Sequence, residues 1–328
     1  MKFRLTLAVW GKWHLDQFET NALPSLRASG NLDAIDYHIS AHTRPADRER
    51  LASLLQGFNA DIKTPIRDDV QSDQGTSNDT VFGRNIDDRS AAAAAGEAWA
   101  LLSPDMVWGE GTFAHYRRLF EAGKKAIFRP LLRVDSERAG IITDFGKRAL
   151  ARIALEHEHD IARRFYRADG KLFSSHAEMV IWPAPGGLIN KTITAETQVC
   201  MPAAVQLDGQ GLAPDLAPDE MAVICDSDES ISLAMTAPGK DFSWLLGTEP
   251  LKLDIVRAFL KWYYSPACQH IAAKSYRLHD RDIDPAAWEQ IERHADDFIK
   301  AVFESGTDTI YQPGAPAPGH LLSDGILA

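Results

Sequence analysis

The feature that most constrains this chain is the alternation of short apolar runs with helix-spaced segments over its first 135 residues. Phe3–Trp10 is strand-length, apolar and stopped by Gly11. Trp13–Leu26 has helical spacing, Ala34–His42 reads as a second strand, and Ala46–Leu55 reads as a helix entered through Pro45. Met106–Trp108 is a short strand closing at Gly109-Glu110-Gly111, followed by a helix Thr112–Ala122 ended by Gly123 and a strand Ala126–Val134. Between these, the polar stretch Ile66–Asp88 reads as a loop or flap and the alanine-rich Ala91–Leu102 as a helix. Strand and helix in turn with short links predict βαβ units, hence an α/β fold with a mixed, mainly parallel sheet flanked by helices.

The regularity then breaks. Phe145–Tyr166 reads as one long helix, Met179–Trp182 and Leu188–Ile193 as strands around the turn-rich Pro183–Gly187, and Met221–Cys225 and Ser230–Met235 as strands around four polar residues. Helices are expected at Leu251–Tyr264 and Pro285–Phe303. The 328-residue length fits one α/β domain over 1–305 and an irregular Gly/Pro-rich tail over 306–328.

The formal net charge of −11 opposes a phosphodiester backbone, which makes nucleic acid a poor candidate for the main partner. A local basic cluster, Lys124, Lys125, Arg129 and Arg133, still offers a place for a small anion. Three cysteines without a CxxC pair argue against a disulfide framework or a zinc ribbon and for a reducing compartment. The N-terminus lacks a signal-peptide core and no apolar stretch nears the ~20 residues of a membrane span. A cytoplasmic protein is expected, with peripheral membrane contact left open.

Five constellations carry chemistry. Val9-Trp10-Gly11 ends a strand, where ligands of open parallel sheets bind; the ring can stack on a base, or Trp10 is core and Gly11 a plain turn. Asp105 and Glu110 flank the next strand, and either can ligate Mg²⁺ or Mn²⁺ on a diphosphate or be a solvated turn acid. Asp226-Ser227-Asp228-Glu229 is the densest acidic motif and reads equally as a cation or sugar site and as a hairpin turn. His279, in Arg277-Leu278-His279-Asp280, can complete a metal shell or sit on a helix end. In Glu156-His157-Glu158-His159-Asp160 the two histidines would lie ~200° apart on a helix and cannot share one ion. GxGxxG, GxxxxGK[ST], HExxH and GxSxG patterns are absent, which disfavours dehydrogenases, P-loop NTPases, zincins and serine hydrolases.

The segments LTLAVWGKWHLDQFETNALPSL, GNLDAIDYHISAHTRPADRERL, LSPDMVWGEGTFAHYRRLFEAGKKAIFRPLLRV, IWPAPGGLI and VICDSDES together resemble a group of bacterial glycosyltransferase-like proteins, similar in layout to the A-type, Rossmann-like sugar-nucleotide transferases. The resemblance implies a nucleotide-binding half over 1–135 and an acceptor-side half over 136–305. It implies a nucleotide-sugar donor held by Val9, Trp10, Gly11, Asp105, Glu110 and Arg133, with the Gly186-Gly187 loop bordering the acceptor, a carbohydrate or lipid-linked sugar. It implies a Mn²⁺ or Mg²⁺ ion on Glu110, Asp226, Asp228 or His279. Where such proteins carry Asp-x-Asp this chain has Trp108-Gly109-Glu110, so Glu110 alone serves, or Asp226/Asp228 takes the role, or no metal is used. Asp226 or Asp228 is the candidate catalytic base. A non-catalytic nucleotide- or carbohydrate-binding protein, or an interaction subunit of a glycan-assembly complex, is the alternative.

Overall fold

The computed structural model describes residues 1–66, 78–159, 165–167, 179–192, 199–205, 216–238 and 266–304. Seven strands form the main sheet in the order β12-β6-β11-β4-β1-β2-β3. These are β1 (Lys2–Ala8), β2 (Asp36–His42), β3 (Ala60–Lys63), β4 (Ala98–Leu102), β6 (Ala126–Phe128), β11 (Val199–Cys200) and β12 (Met221–Val223). All run parallel except β11, which is antiparallel to both neighbours. Helices flank this sheet, so the fold is the mixed, mainly parallel α/β layer expected.

Side-chain alternation along β1 explains the layering. Phe3, Leu5, Leu7 and Val9 are fully buried in the main core, where Phe3 meets Phe113 and Phe120 of α5 (Thr112–Glu121). Arg4 and Thr6 point the other way, to Glu97 and to Asp88 of α4 (Asn78–Ala95). That second face is a buried polar column: Asp88 accepts from Thr6 Oγ1 at 2.9 Å and Ser40 Oγ at 2.9 Å, and lies 2.8 Å from His42 Nε2.

Three expectations are corrected. Asn78–Asp88 is helix, not loop, and residues 67–77 of that stretch lie outside the described residues. The helix expected over Ala91–Leu102 stops at Ala95, where Gly96 takes φ +65°, and 98–102 becomes a central strand. A five-residue apolar run buried on both faces fits between two strands better than on a helix surface. Ala126–Val134 is two strands: Pro130 supplies no N–H, and the chain crosses from β6 to β7 (Leu132–Asp135) in a separate three-stranded sheet ordered β5-β13-β7.

In that sheet β5 is Met106–Trp108 and β13 is Ser232–Thr236. Because β12 and β13 belong to different sheets, Asp226–Glu229 is a crossover and not a hairpin turn. A four-stranded sheet, β14-β10-β9-β8, packs beside it; these strands are Tyr276–His279, Gly187–Thr192, Met179–Ala184 and Phe165–Arg167. Arg277, His279, Trp182 and Lys191 of this sheet meet Glu292, Trp288, Phe298 and Asp296 of the long α9 (Pro285–Glu304). The shorter α-helices include α1 (Lys12–Gln17), α2 (Leu23–Arg27), α3 (Arg48–Leu54), α6 (Ser136–Ala139) and α8 (Pro266–Ala272).

The long helix expected over Phe145–Tyr166 is α7, Lys147–Glu156 only. Past it, Glu158 makes an isolated antiparallel bridge to Val134 and His159 N donates to the Arg133 carbonyl, so the His157–His159 stretch is not helical. His159 is buried, with Nε2 3.0 Å from the Ala237 carbonyl. The expected helix at 251–264 and the tail from 306 lie outside the described residues, whereas Trp288 of α9 is fully buried. Among the described residues no helix is long and apolar enough to cross a membrane.

Candidate functional site

Parallel strands converge their carboxyl ends on one edge, and two candidate constellations lie there. At the β12 end, the chain passes Cys225 into Asp226-Ser227-Asp228, and this turn is docked onto β14. Ser227 N donates to the Arg277 carbonyl at 2.8 Å, and the buried Ser227 hydroxyl both accepts from His279 N and donates to the His279 carbonyl. The result brings one ligand atom each from Asp226, Asp228 and His279 within 4.8 Å of one another. The sequence alone placed His279 on a helix end as readily as in a metal shell; it ends a strand, and its partners are 53 and 51 residues away in the chain.

The histidine is oriented from behind. His279 Nδ1 lies 2.8 Å from the Arg281 carbonyl, an acceptor, so Nδ1 carries the hydrogen. Nε2 then turns toward Asp226 Oδ1 at 3.0 Å. A backbone carbonyl fixing the tautomer of a ligating imidazole is the usual outer support of a metal site. Two carboxylates suit Mg²⁺ or Mn²⁺, and the imidazole tilts the donor set toward the transition ion.

The glycine loop supports the same histidine. Gly187 pairs with His279 across β10 and β14, and a Cβ on Gly187 would fall 2.0 Å from the Leu278 carbonyl. Gly186, at φ +78°, lies under the Arg281 side chain. The missed positions here are Ser227 and Arg281, which act through backbone contacts that no composition signal reports.

A cavity of about 730 Å³ adjoins the acidic turn. Its walls include Glu110, Asp144, Lys147, Arg148 and Arg152. Lys147 Nζ donates to the Asp228 carbonyl at 2.8 Å, Arg148 lies 3.2 Å from Asp228 Oδ2, and Arg152 lies 3.4 Å from Asp280 Oδ2. Asp228 and Asp282 together hold the Arg148 guanidinium above its ordinary pKa. None of these three cations stood out in the sequence; the signal was the i, i+4 pair Arg148/Arg152 beside Lys147 on a short amphipathic helix.

The second constellation is at the ends of β1 and β2. Trp10 is 7% exposed and packs with Ala8 and Ile66. Its Nε1, together with His42 Nδ1 and Thr43 Oγ1, is buried without a hydrogen-bond partner. Gly11, φ +78°, donates its N–H to Asp47 Oδ2 at 2.9 Å. Val9 is fully buried and belongs to the core.

The structure disperses other expected residues. Asp105 precedes β5 and accepts from Ser103, while Glu110 follows β5 and lines the α7 cavity; among the described residues the metal-capable group holds neither. Arg133 lies on β7, with its carbonyl engaged by His159. The basic cluster does not converge: Lys124 and Lys125 hold the Asp219–Glu220 turn, and Arg129 lies over Trp108 with its centre 4.5 Å from the ring.

No protein-family model matches this chain, and no curated protein does. Among solved structures it is similar to the crystal structure of S. aureus TarS 1-349, with 10% identity and a TM-score of 0.37, covering 94% of this chain and 73% of that one. It is similar also to that of S. aureus TarS, with 11% identity and a TM-score of 0.39, covering 93% of this chain and 50% of that one. Likeness of this size assigns no residue and no reaction to this chain.

Proposed function

We propose that this protein is a glycosyltransferase that moves a sugar from a nucleotide-sugar to a carbohydrate or lipid-linked acceptor. The observation that carries the proposal is the convergence of Asp226, Asp228 and a tautomer-fixed His279 at the carboxyl edge of a mainly parallel sheet. The bacterial glycosyltransferase-like pattern in the sequence supports it. The nucleotide-binding half is 1–135 and the acceptor-side half 136–305.

The chemistry fits the residues. Departure of a nucleoside diphosphate needs its charge opposed, and a Mn²⁺ or Mg²⁺ ion held by Asp226, Asp228 and His279 would supply that. Lys147 and Arg148, beside Asp228, add fixed positive charge. Asp228, with a side chain 43% exposed, is the carboxylate an acceptor hydroxyl can reach, and is the candidate base in the reading in which it holds no ion. Trp10 lies four strands from β12, roughly 19 Å at about 4.8 Å per strand, so the two constellations suit opposite ends of an elongated donor. The unpartnered atoms of Trp10, His42 and Thr43 suit the polar edge of a base.

Calorimetric titration with UDP-, GDP- and CMP-sugars, with and without Mn²⁺, tests the reading. Micromolar binding to one of them that depends on Asp226 is expected; no binding to any would overturn it. Binding without slow hydrolysis or transfer would favour the non-catalytic alternative.

A further inference from the structure

Asp88 determines what His42 offers to a ligand. Its carboxylate accepts from the Thr6 and Ser40 hydroxyls, each at 2.9 Å, and lies 2.8 Å from His42 Nε2. A carboxylate is acceptor-only, so Nε2 carries the hydrogen, and Nδ1 of the singly protonated ring is a bare lone pair. His42 is 2% exposed, and Nδ1 has no hydrogen-bond partner. A second hydrogen on Nδ1 would be an orphaned buried N–H, which is rarer in proteins than an unpaired acceptor.

Trp10 supplies the complementary atom. Phe3, Leu5, Leu7 and Val9 fill the main core, so Thr6, Ala8 and Trp10 face the α4 side of the sheet. Thr6 is in register with Ser40 and Ala8 with His42, which puts Trp10 and His42 on one face at the carboxyl ends of neighbouring strands. At about 3.3 Å per residue and about 4.8 Å between strands, their Cα positions are about 8 Å apart. The Trp10 ring is held by Ala8, Ile66 and the tilted ring of His14, and its Nε1–H, an obligate donor, is buried without a partner. One donor and one acceptor, both buried and unmatched, ask for an acceptor and a donor side by side on a ligand.

We infer that this pair reads an imide edge, a carbonyl next to a single ring N–H, and so selects a uracil nucleotide. His42 is then the specificity-determining residue, and Asp88 is the positioning residue that fixes its tautomer. The inference rests on the nucleotide reading of this strand end proposed above. Trp10 Nε1 donates to the ring carbonyl, and His42 Nδ1 accepts the imide hydrogen. Cytosine presents two acceptors along the same edge and sets its ring-nitrogen lone pair against that of His42. Its amine can take His42 only by bringing a second hydrogen that neither Trp10 nor His42 accepts. Guanine keeps the imide edge but adds an amino group beside it. The Thr43 hydroxyl donates or accepts as required, so discrimination falls to Trp10 and His42.

The test titrates UDP, CDP, GDP and 3-methyl-UDP, in which a methyl replaces the imide hydrogen, into the wild-type protein with and without Mn²⁺. UDP is expected to bind at least about tenfold more tightly than the other three, because each of them leaves a buried group unmatched. Asp88→Asn turns an amide N–H toward Nε2 and so moves the ring hydrogen to Nδ1. In that variant the preference for UDP over CDP should collapse, a change that a merely structural loss would not produce. Trp10→Phe should weaken UDP and CDP alike. Thermal melts confirm folding, and ¹⁵N NMR of the wild-type His42 ring should show hydrogen on Nε2 and none on Nδ1. Should Asp88→Asn fail to fold, the methylated nucleotide and the ring tautomer still decide. Equal binding of UDP, CDP and 3-methyl-UDP, or a hydrogen on Nδ1, overturns this inference alone. If no nucleoside diphosphate binds, the nucleotide reading falls and takes the inference with it.

Discussion

His279 Nε2 faces Asp226 Oδ1 at 3.0 Å, with the other ring nitrogen committed to the Arg281 carbonyl. In a neutral ring this sets a lone pair against a carboxylate. The contact is favourable only with positive charge between or on the partners, from a proton or a cation. A site primed in this way binds the ion through few, specific groups. Asp226→Asn and His279→Ala should therefore each lower Mn²⁺ affinity by at least about tenfold, read by calorimetry, with little change in thermal stability of the ion-free protein.

Ser227 and Gly187 place that histidine without touching a ligand. Gly187→Ala puts a methyl where the Leu278 carbonyl lies, so β14 must shift. A loss of about 1–3 kcal/mol of stability is expected from overpacking, accompanied by weaker Mn²⁺ binding. Ser227→Ala should weaken Mn²⁺ binding with a smaller stability change, because only the two hydroxyl bonds to His279 are removed. Urea unfolding beside Mn²⁺ titration separates the two effects.

Asp88 is buried between β1 and β2. Burial pushes its carboxyl up, but the hydrogen bond and charge of His42 with the Thr6 and Ser40 hydroxyls outweigh this and leave it below the ordinary carboxylate value. A carboxyl depressed in the folded state stabilises above its unfolded pKa, and that contribution is lost as pH falls through the folded value. Urea unfolding should thus show a stability loss below about pH 4 that is reduced in Asp88→Asn. Asp88→Ala should cost about 3–5 kcal/mol, since it strands His42 and two hydroxyls in the interior.

The described free thiols should be inert. Burial raises Cys200 to about 12, and burial followed by the nearby Glu229 raises Cys225. At pH 8, a disulfide reagent should leave Cys200 unmodified until denaturant is added, and should modify Cys225 far more slowly than a free thiol. Rapid modification of Cys200 in the native protein would contradict its position in the sheet.

Legibility followed the range of the forces involved. Phe3–Trp10, Ala34–His42, Thr112–Ala122 and Pro285–Phe303 were readable because apolar spacing and glycine stops act within one element. Ala98–Leu102 was not, because alanine propensity is local while β4 is decided by its place beside β1, where Trp99 Nε1 donates to Thr6 Oγ1 at 2.8 Å. The split of 126–135 between two sheets was equally hidden, since only the packing of β13 against β7 shows where the strand changes partner.

The same division runs through the candidate site. Residue type and order alone marked Asp226, Asp228 and His279 as groups able to hold a hard cation, and Gly186-Gly187 as a turn. The sequence also marked Glu110 and the 124–133 basic cluster, with equal reason, and could not rank them. Tertiary structure made the choice. Ser227 docks the acidic turn onto β14, the carbonyl of Arg281 turns one nitrogen of His279 toward Asp226, and α7 carries Arg148 to Asp228 across 80 residues of chain. Chemical capacity is a property of each side chain, legible one residue at a time. Convergence depends on strand order, register and backbone hydrogen bonds between distant segments, and those are settled only when the chain is packed.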